Sequence, residues 1–171
     1  NDTKFINKIN EIDEAAFSIF TIGQIVKKDT LENLHTYPIN CHGSYLPEMK
    51  GPAQYIWYFV NNLNYFGVTF HKISPQIDSG EILHQNKFDI PNGISSFVLH
   101  YLLAKKWGEE IQNLITTIQI PPTIINQYKS KESILSLPDR KAFRLLKDKR
   151  VDLVNFKDLN MIINDLNSYL N

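Results

Sequence analysis

The sequence predicts an α/β fold with an at least partly parallel sheet flanked by helices. Short apolar segments rich in β-branched residues alternate along the chain with segments of helical periodicity, which is the order typical of α/β sheets. Polar residues suited to catalysis lie at or just beyond the ends of two predicted strands, where such sheets form their ligand crevice. The 171 residues are enough for one domain with a sizeable core.

The first half of the sequence predicts two strands, each followed by a glycine, and two helices. β-Branched residues favour the strands, and Pro52 stands where a first-turn proline opens a helix. Ile25, Val26 and Leu31 are expected to face inward from the first helix. In chain order the elements are a buried strand over 15–22, a helix over 24–34, a strand over 38–42, a loop over 43–51 and an aromatic-rich helix over 52–62.

The second half predicts two further strands and the clearest helix of the chain. Apolar residues recur mostly at threes and fours over 94–118, as on the buried face of a helix, and Pro121 and Pro122 end this pattern. The remainder is polar and lysine-rich. In chain order the elements are a strand over 67–73, a turn over 74–80, a strand over 81–90, the helix over 94–118 and a terminal helix around 159–170.

Composition and charge exclude several classes of protein. Lysine plus arginine and aspartate plus glutamate are equal at 18 each, so no strong field favours nucleic acid or an anionic membrane, whereas small phosphorylated ligands stay possible. The single cysteine, Cys41, cannot form an internal disulfide, which fits a reducing compartment. With no spanning apolar run and no signal peptide, we expect a cytoplasmic protein.

Three polar side chains form a candidate reacting centre. Strand alternation puts Asn40 and His42 on one face, with Cys41 on the other as a packed small residue. Asp78 follows a later strand, and its carboxylate could fix the tautomer of His42 or raise its pKa. An Asn-x-His pair at a strand end is more often structural than catalytic, so spacing alone leaves both interpretations open.

Such a trio suits acyl transfer to an amine without a covalent enzyme intermediate. Asn40 offers an N–H donor to the oxyanion that develops when the amine attacks a carbonyl carbon. His42, when protonated, can help to stabilise this oxyanion and then pass a proton to the leaving nitrogen. A water molecule held by Asp78 could accept the excess proton of the amine.

A longer pattern around these residues resembles the folate-dependent formyltransferase family. Residues 40–51, Asn-Cys-His-Gly-Ser-Tyr-Leu-Pro-Glu-Met-Lys-Gly, resemble its signature Asn-x-His-x-Ser-x-Leu-Pro followed by a glycine four residues later. Residues 67–71 and 77–83 resemble its second block, in which an aspartate precedes a small residue and a glycine. Two blocks in the right order are a specific signal, and the resemblance covers roughly residues 15–118.

The resemblance implies a Rossmann-like domain that uses 10-formyltetrahydrofolate as formyl donor and an amine as acceptor. It assigns residues 1–120 to the catalytic core, without the strand, helix and strand with which the family's domain begins, and leaves 121–171 as a helical or irregular C-terminal extension. The family's catalytic residues fall on Asn40, His42 and Asp78. Its pterin site, formed mostly by backbone groups, falls on Thr21, Ile22, Gln24, Ile25, Ser74 and Ile77.

Within the family, the aromatic helix and the 44–47 loop are most similar to the amino-sugar formyltransferases. The expected acceptor is therefore a nucleotide-linked 4-amino-4,6-dideoxysugar, as used for O-antigen or other surface glycans, bound through Ser44, Tyr45 and Lys50. Lys50 could contact an acceptor phosphate, and a solvated lysine is an equal alternative. Glycinamide ribonucleotide and methionyl-tRNA formyltransferases are the alternatives within the family. No nucleic acid or membrane partner is expected, and a homodimer is compatible with the sequence.

Two interpretations from other classes compete with this one. His42, His71 and Asp78 have ligand chemistry for a metal-dependent hydrolase, but the sequence lacks a local His-x-x-x-His spacing and we expect no metal. His71 is otherwise expected to pack or hydrogen-bond near Asp78. A non-catalytic folate- or nucleotide-binding fragment is the second competing interpretation.

Overall fold

The computed structural model describes residues 3–12, 17–21, 24–117, 124–127 and 134–168. Within these ranges the strands are β1 (Phe17–Phe20), β2 (Tyr37–His42), β3 (Tyr65–Lys72) and β4 (Ile82–Asp89). The helices are α1 (Thr3–Asn10), α2 (Lys28–Glu32), α3 (Gln54–Val60), α4 (Ser96–Thr117), α5 (Arg140–Asp148) and α6 (Phe156–Ser168). The prediction of an α/β fold is therefore confirmed.

The described strands form one mixed sheet in the order β1-β2-β3-β4. β1 and β2 run parallel, whereas the β2–β3 and β3–β4 pairs are antiparallel, so the predicted partly parallel sheet is confirmed. The register aligns Asn40 with Phe20 on one side and with His71 on the other. Because directly opposite residues project to the same face, this register brings the side chains of Asn40 and His71 together.

The hydrophobic core fixes the strands that carry the polar residues. Ile39, Val68 and Phe70 are completely buried and pack with Leu114 of α4, and burial of such side chains contributes about 1.5–3 kcal/mol each. Cys41 belongs to the same cluster. Because Ile39 and Cys41 face this core, alternation along β2 turns Asn40 and His42 to the opposite face.

The segment after β1 differs from the prediction of a helix over 24–34. The helix α2 covers only Lys28–Glu32, and Ile25, which was expected to face inward, is 64% exposed. The adjacent β-branched residues Ile25 and Val26 favour extended backbone, and residues 25–27 have no regular structure. The aromatic helix α3 is also shorter than predicted, because Ala53 has a left-handed conformation and Pro52 precedes the helix.

The extension after α4 contributes two helices and one short contact with the sheet. The helix α5 was not predicted; its first turn is capped by Asp139, whose carboxylate accepts from the Ala142 N–H at 2.9 Å. The terminal helix begins at Phe156, earlier than predicted. Ile125 forms an isolated antiparallel bridge with Ile82 at the start of β4. None of the described helices has the length and apolarity needed to cross a membrane.

Candidate active site

The side chains of Asn40 and His42 project from one face of β2 toward the turn that contains Asp78. The amide of Asn40 donates to Oδ1 of Asp78 at 3.5 Å, and Nδ1 of His42 lies 3.4 Å from Oδ2 of the same carboxylate. The His42 and Asp78 side chains are only 6% and 13% exposed. The three residues predicted from the sequence therefore meet in one largely buried cluster.

The turn that presents Asp78 is conformationally restricted. Asp78 has a φ of 45°, in the left-handed region that aspartate tolerates better than most residues. Gly80 is required two residues later, because a Cβ there would lie 1.8 Å from the Lys72 carbonyl oxygen. The backbone N–H of Gly51 donates to Oδ2 of Asp78 at 2.8 Å and fixes the carboxylate from the facing loop.

Electrostatics keep Asp78 ionised and His42 easy to deprotonate. Burial on its own raises the pKa of Asp78, but the adjacent rings of His71 and His42, together with the Gly51 N–H, hold that pKa below its ordinary value. Burial lowers the pKa of His42, and the neighbouring Asp78 carboxylate opposes this shift without cancelling it. The cluster therefore combines a stable carboxylate with an imidazole that binds its proton weakly.

The second nitrogen of His42 also faces an acceptor. Nε2 lies 3.1 Å from the carbonyl oxygen of Met49, and the side-chain amide of Gln54, which also donates to the Gly51 carbonyl, is 3.4 Å away. A doubly protonated ring satisfies both the Met49 carbonyl and the Asp78 carboxylate, whereas burial disfavours its charge. Because these influences oppose each other, His42 is suited to gain and lose a proton during a reaction.

His71 belongs to the cluster as well, which goes beyond its expected role near Asp78. Its Nδ1 donates to the Lys72 carbonyl at 2.8 Å, so Nε2 carries the lone pair and accepts from the Asn40 amide at 3.1 Å. This contact orients the amide of Asn40. The second amide hydrogen makes only the 3.5 Å contact with Asp78, which is at the outer limit of a hydrogen bond and leaves this hydrogen available to a substrate oxygen.

The cluster forms part of the wall of a cavity of about 480 Å³. A smaller cavity of about 80 Å³ shares Asn40 and Asp78 with it. Predicted pterin-site residues line the two cavities, namely Thr21, Gln24, Ile25 and Ile77 in the larger and Ile25, Ser74 and Ile77 in the smaller. Ile22, the remaining predicted pterin-site residue, lies outside the described residues.

Cavity size alone does not identify the site. A cavity of about 730 Å³ lies between α1 and α2, and its lining includes none of Asn40, His42 and Asp78. The larger cavity is also lined by amide, carboxylate and imidazole groups, but its Glu11, Asp29 and His35 are exposed. We favour the smaller, adjoining cavities because their His42 and Asp78 side chains are largely buried and in contact with each other.

The residues predicted to bind the acceptor have different surroundings. Ser44 is buried, and its hydroxyl donates to the Glu48 carbonyl at 2.6 Å, so it fixes the loop from inside. The Tyr45 ring is half-buried with the ammonium of Lys87 4.3 Å from its centre. Lys50 donates to the Ser79 hydroxyl at 2.9 Å, beside the Asp78 turn. Through this bond, Lys50 contacts the Asp78-Ser79-Gly80 turn directly.

The metal-site alternative has no support in the geometry of the described ranges. No group of three histidine, cysteine or carboxylate side chains within them is arranged to hold a metal ion. The Nε2 lone pair of His71 accepts from Asn40, and Nε2 of His42 faces the Met49 carbonyl. Both nitrogens therefore have protein partners.

The sheet and its buried polar cluster define an α/β domain with a polar centre at its strand ends. The model of the Formyl transferase family matches residues 2–106, more than half of the chain, and the protein belongs to this family. This agrees with the two sequence blocks, since residues 40–51 and 67–83 both lie inside the matched region.

Solved and curated relatives differ in the acceptor that their names specify. A sugar 3N-formyl transferase, WlaRD, solved with dTDP and 5-N-formyl-THF, is 30% identical, with a TM-score of 0.62 over 71% of this chain and 43% of that chain. The formyltransferase PseJ from Anoxybacillus kamchatkensis, in complex with UDP-4,6-dideoxy-4-formamido-L-AltNAc and tetrahydrofolate, is 27% identical, with a TM-score of 0.63 over 79% and 71%.

The curated sequence relatives include methionyl-tRNA formyltransferases. The enzyme of Clostridium novyi (strain NT) is 29% identical over 82% of this chain and 46% of its own length. That of Clostridium acetobutylicum is 30% identical over 64% of this chain and 35% of its own length. The chain thus spans less than half the length of these two relatives.

Proposed function

We propose that the protein transfers a formyl group from 10-formyltetrahydrofolate to the amino group of a nucleotide-linked amino sugar. The acceptor is of the 4-amino-4,6-dideoxysugar type used in surface-glycan biosynthesis. The observation that carries the proposal is the meeting of Asn40, His42 and Asp78 beside a cavity of about 480 Å³. These groups provide an amide donor, a proton carrier and a carboxylate, which are the groups that acyl transfer to an amine needs.

The cavity walls fit the folate donor. Ile25 and Ile77 expose 64% and 36% of their surface beside Asn40 and Asp78, and such apolar surface suits one face of a flat pterin ring. Polar groups of Thr21, Gln24 and Ser74 can meet the heteroatoms at its edge. When bound, the donor supplies a formyl group that is attached to its N10.

The reaction requires one bond to form and one to break. The acceptor nitrogen forms a bond to the formyl carbon, the bond from that carbon to N10 breaks, the acceptor amine loses one proton and N10 gains one. Asn40 donates its weakly engaged amide hydrogen to the formyl oxygen, on which negative charge develops. His71 keeps this donor in place because its Nε2 accepts the other amide hydrogen.

His42 and Asp78 manage the protons in this proposal. The protonated ring of His42 stabilises the developing charge and passes a proton toward the leaving nitrogen, which its lowered pKa favours. Asp78 stays ionised and stabilises the imidazolium while that form exists. A water molecule held by Asp78 takes the proton that the acceptor amine releases.

The preference for an amino sugar rests on the solved relatives. The relative at 30% identity is named a sugar 3N-formyl transferase, and the one at 27% holds a UDP-linked 4-formamido sugar. The loop and the aromatic helix favour the same class of acceptor. The second candidate is methionyl-tRNA formyltransferase, which the curated relatives favour. The net charge of zero over these 171 residues supports the small acceptor, because tRNA binding favours a basic surface.

Acceptor screening by mass spectrometry tests the proposal. The full-length protein is incubated with 10-formyltetrahydrofolate and, separately, with amino-sugar nucleotides, methionyl-tRNA and glycinamide ribonucleotide. We expect a product one formyl group heavier from an amino-sugar nucleotide, and none from the same mixture with the His42→Ala variant. Product from methionyl-tRNA alone would support the second candidate, and no product from any acceptor would contradict both.

A further inference from the structure

A residue of the C-terminal extension contacts the backbone of the Asp78 turn. Ile125 and Ile82 exchange two backbone hydrogen bonds of 2.8 and 2.9 Å, which fix the segment 124–127 beside β4. Two residues later, the side-chain amide of Gln127 donates to the carbonyl oxygens of Asp78, at 3.1 Å, and of Gly80, at 2.7 Å. One NH₂ group therefore binds the carbonyls at both ends of the Asp78-Ser79-Gly80 turn.

These two hydrogen bonds act where the backbone is strained. Asp78 has a left-handed φ of 45°, and a non-glycine residue keeps such a conformation only when its surroundings enforce it. The carbonyl of Asp78 and its side chain extend from the same Cα atom. Fixing this carbonyl therefore fixes the direction of the Cα–Cβ bond from which the carboxylate reaches His42.

The other end of the Gln127 amide supports a role in positioning. Its Oε1 is buried and has no hydrogen-bond partner among the residues that the structure describes. Rotating the amide would turn Oε1 toward two carbonyl oxygens and lose both bonds, so the orientation is defined by the turn. A buried acceptor without a partner is destabilising, so the contribution of Gln127 lies in the two donors.

We infer that Gln127 is a positioning residue of the formyl-transfer site, which holds the Asp78 carboxylate against His42 through the carbonyls of Asp78 and Gly80. The expected effect of Gln127 on kcat rests on the proposed function. The placement of the Asp78 carboxylate by Gln127 rests on geometry alone. A second contact supports the role of the extension, since Leu135 N–H donates to the Lys50 carbonyl at 2.8 Å, next to Gly51.

The Gln127→Met variant, which keeps the length of the side chain and removes the donors, tests the kinetic consequence. We expect kcat to fall about tenfold or more because the carboxylate is displaced, while the KM values of donor and acceptor change less than about twofold. The matched control is Asn126→Met at the exposed neighbouring position, which should keep wild-type kinetics. Near-UV circular dichroism checks folding, and Gln127→Ala serves if the methionine variant does not fold.

The NMR titration of the His42 ring tests the structural consequence without requiring activity. Asp78, His71 and Lys50 are the charged or titratable groups that influence this ring, and only Asp78 raises its pKa among them. Displacing Asp78 should therefore lower the pKa of His42 in Gln127→Met and not in Asn126→Met. An unchanged His42 titration together with an unchanged kcat would overturn the inference. If the wild-type protein formylates no acceptor, the proposed function fails, and the titration still decides the role of Gln127.

Discussion

The backbone N–H of Gly51 donates to the carboxylate of Asp78 over 2.8 Å and so joins the loop after β2 to the turn before β4. The φ of Gly51 is 103°, a backbone conformation that side chains rarely allow. The same glycine also lies against the extension, because a Cβ there would be 2.4 Å from the Leu135 carbonyl oxygen. Position 51 therefore has to be glycine for the cluster to assemble.

Replacing this glycine should destabilise the protein by more than the conformational cost alone. Gly51→Ala combines left-handed strain with overlap at Leu135, and we expect a loss of at least about 3 kcal/mol in the free energy of unfolding. Gly93→Ala is the matched control, since its φ is 76° and no atom lies within 4 Å of the added Cβ; it should lose only about 1 kcal/mol. Urea denaturation measures both, and equal losses would contradict the contact with Leu135.

Removing the imidazole of His71 should impair catalysis through Asn40. In His71→Phe the Asn40 amide loses the acceptor that orients it, and we expect kcat to fall about tenfold to hundredfold with little change in the KM of the donor. Steady-state kinetics with both substrates measure this effect. The controls are Asn40→Ala and the double variant of His71→Phe with Asn40→Ala. The double variant should react about as fast as Asn40→Ala alone. Losses in activation free energy that add fully would show that His71 acts independently of Asn40.

Variants of Lys50 and Ser79 distinguish two roles of Lys50, which are binding of the acceptor and support of the Asp78 turn. If Lys50 contacts an acceptor phosphate, Lys50→Met should raise the acceptor KM about tenfold. Ser79→Ala removes the internal partner of Lys50 and the hydroxyl's bond to the Ile77 carbonyl, and it should leave that KM nearly unchanged. Initial rates at varied acceptor and fixed donor measure both. Equal increases in the two variants would assign Lys50 to the turn instead.

The lowered pKa of His42 gives the protein a defined loss of stability on acidification. Because the folded pKa lies below the ordinary value of 6.5, the unfolded chain binds the proton first, and stability falls as the pH drops below that value. The free energy of unfolding should therefore decrease less in His42→Gln than in the wild type between about pH 7.5 and about pH 5. Urea titrations across this range measure the difference, and parallel curves would contradict the assigned shift.

The part of the cluster that is local in sequence could be predicted, whereas the part that depends on strand pairing could not. Asn40 and His42 share a face because alternation is a property of β2 alone. His71 joins them only through the antiparallel register that pairs it with Asn40, and this register is set by the packing of the whole sheet. The contacts of Leu135 and Gln127 likewise join segments distant in sequence.

The errors in the predicted fold also have local physical reasons. The helix over 24–34 is wrong at its start because Ile25 and Val26 form a β-branched pair that favours extended backbone. That error affects the site, since Ile25 is exposed beside the cavity instead of facing the core. For α5, the signals in the sequence are the cap residue Asp139 and the apolar Ala142, Leu145 and Leu146. They are weak because the helix is short and five of its nine residues are charged.

The most direct test of the account is a double-variant cycle of His42→Ala and Asp78→Ala, read out as formylated product in a single turnover. Each single variant should lose about two orders of magnitude in rate or more, and the double variant should lose little beyond the worse single one, because Asp78 stabilises the imidazolium of His42 and the two side chains act as one pair. Near wild-type rates in folded His42→Ala and Asp78→Ala, or losses that multiply fully in the double variant, would contradict a shared role at the reacting carbon.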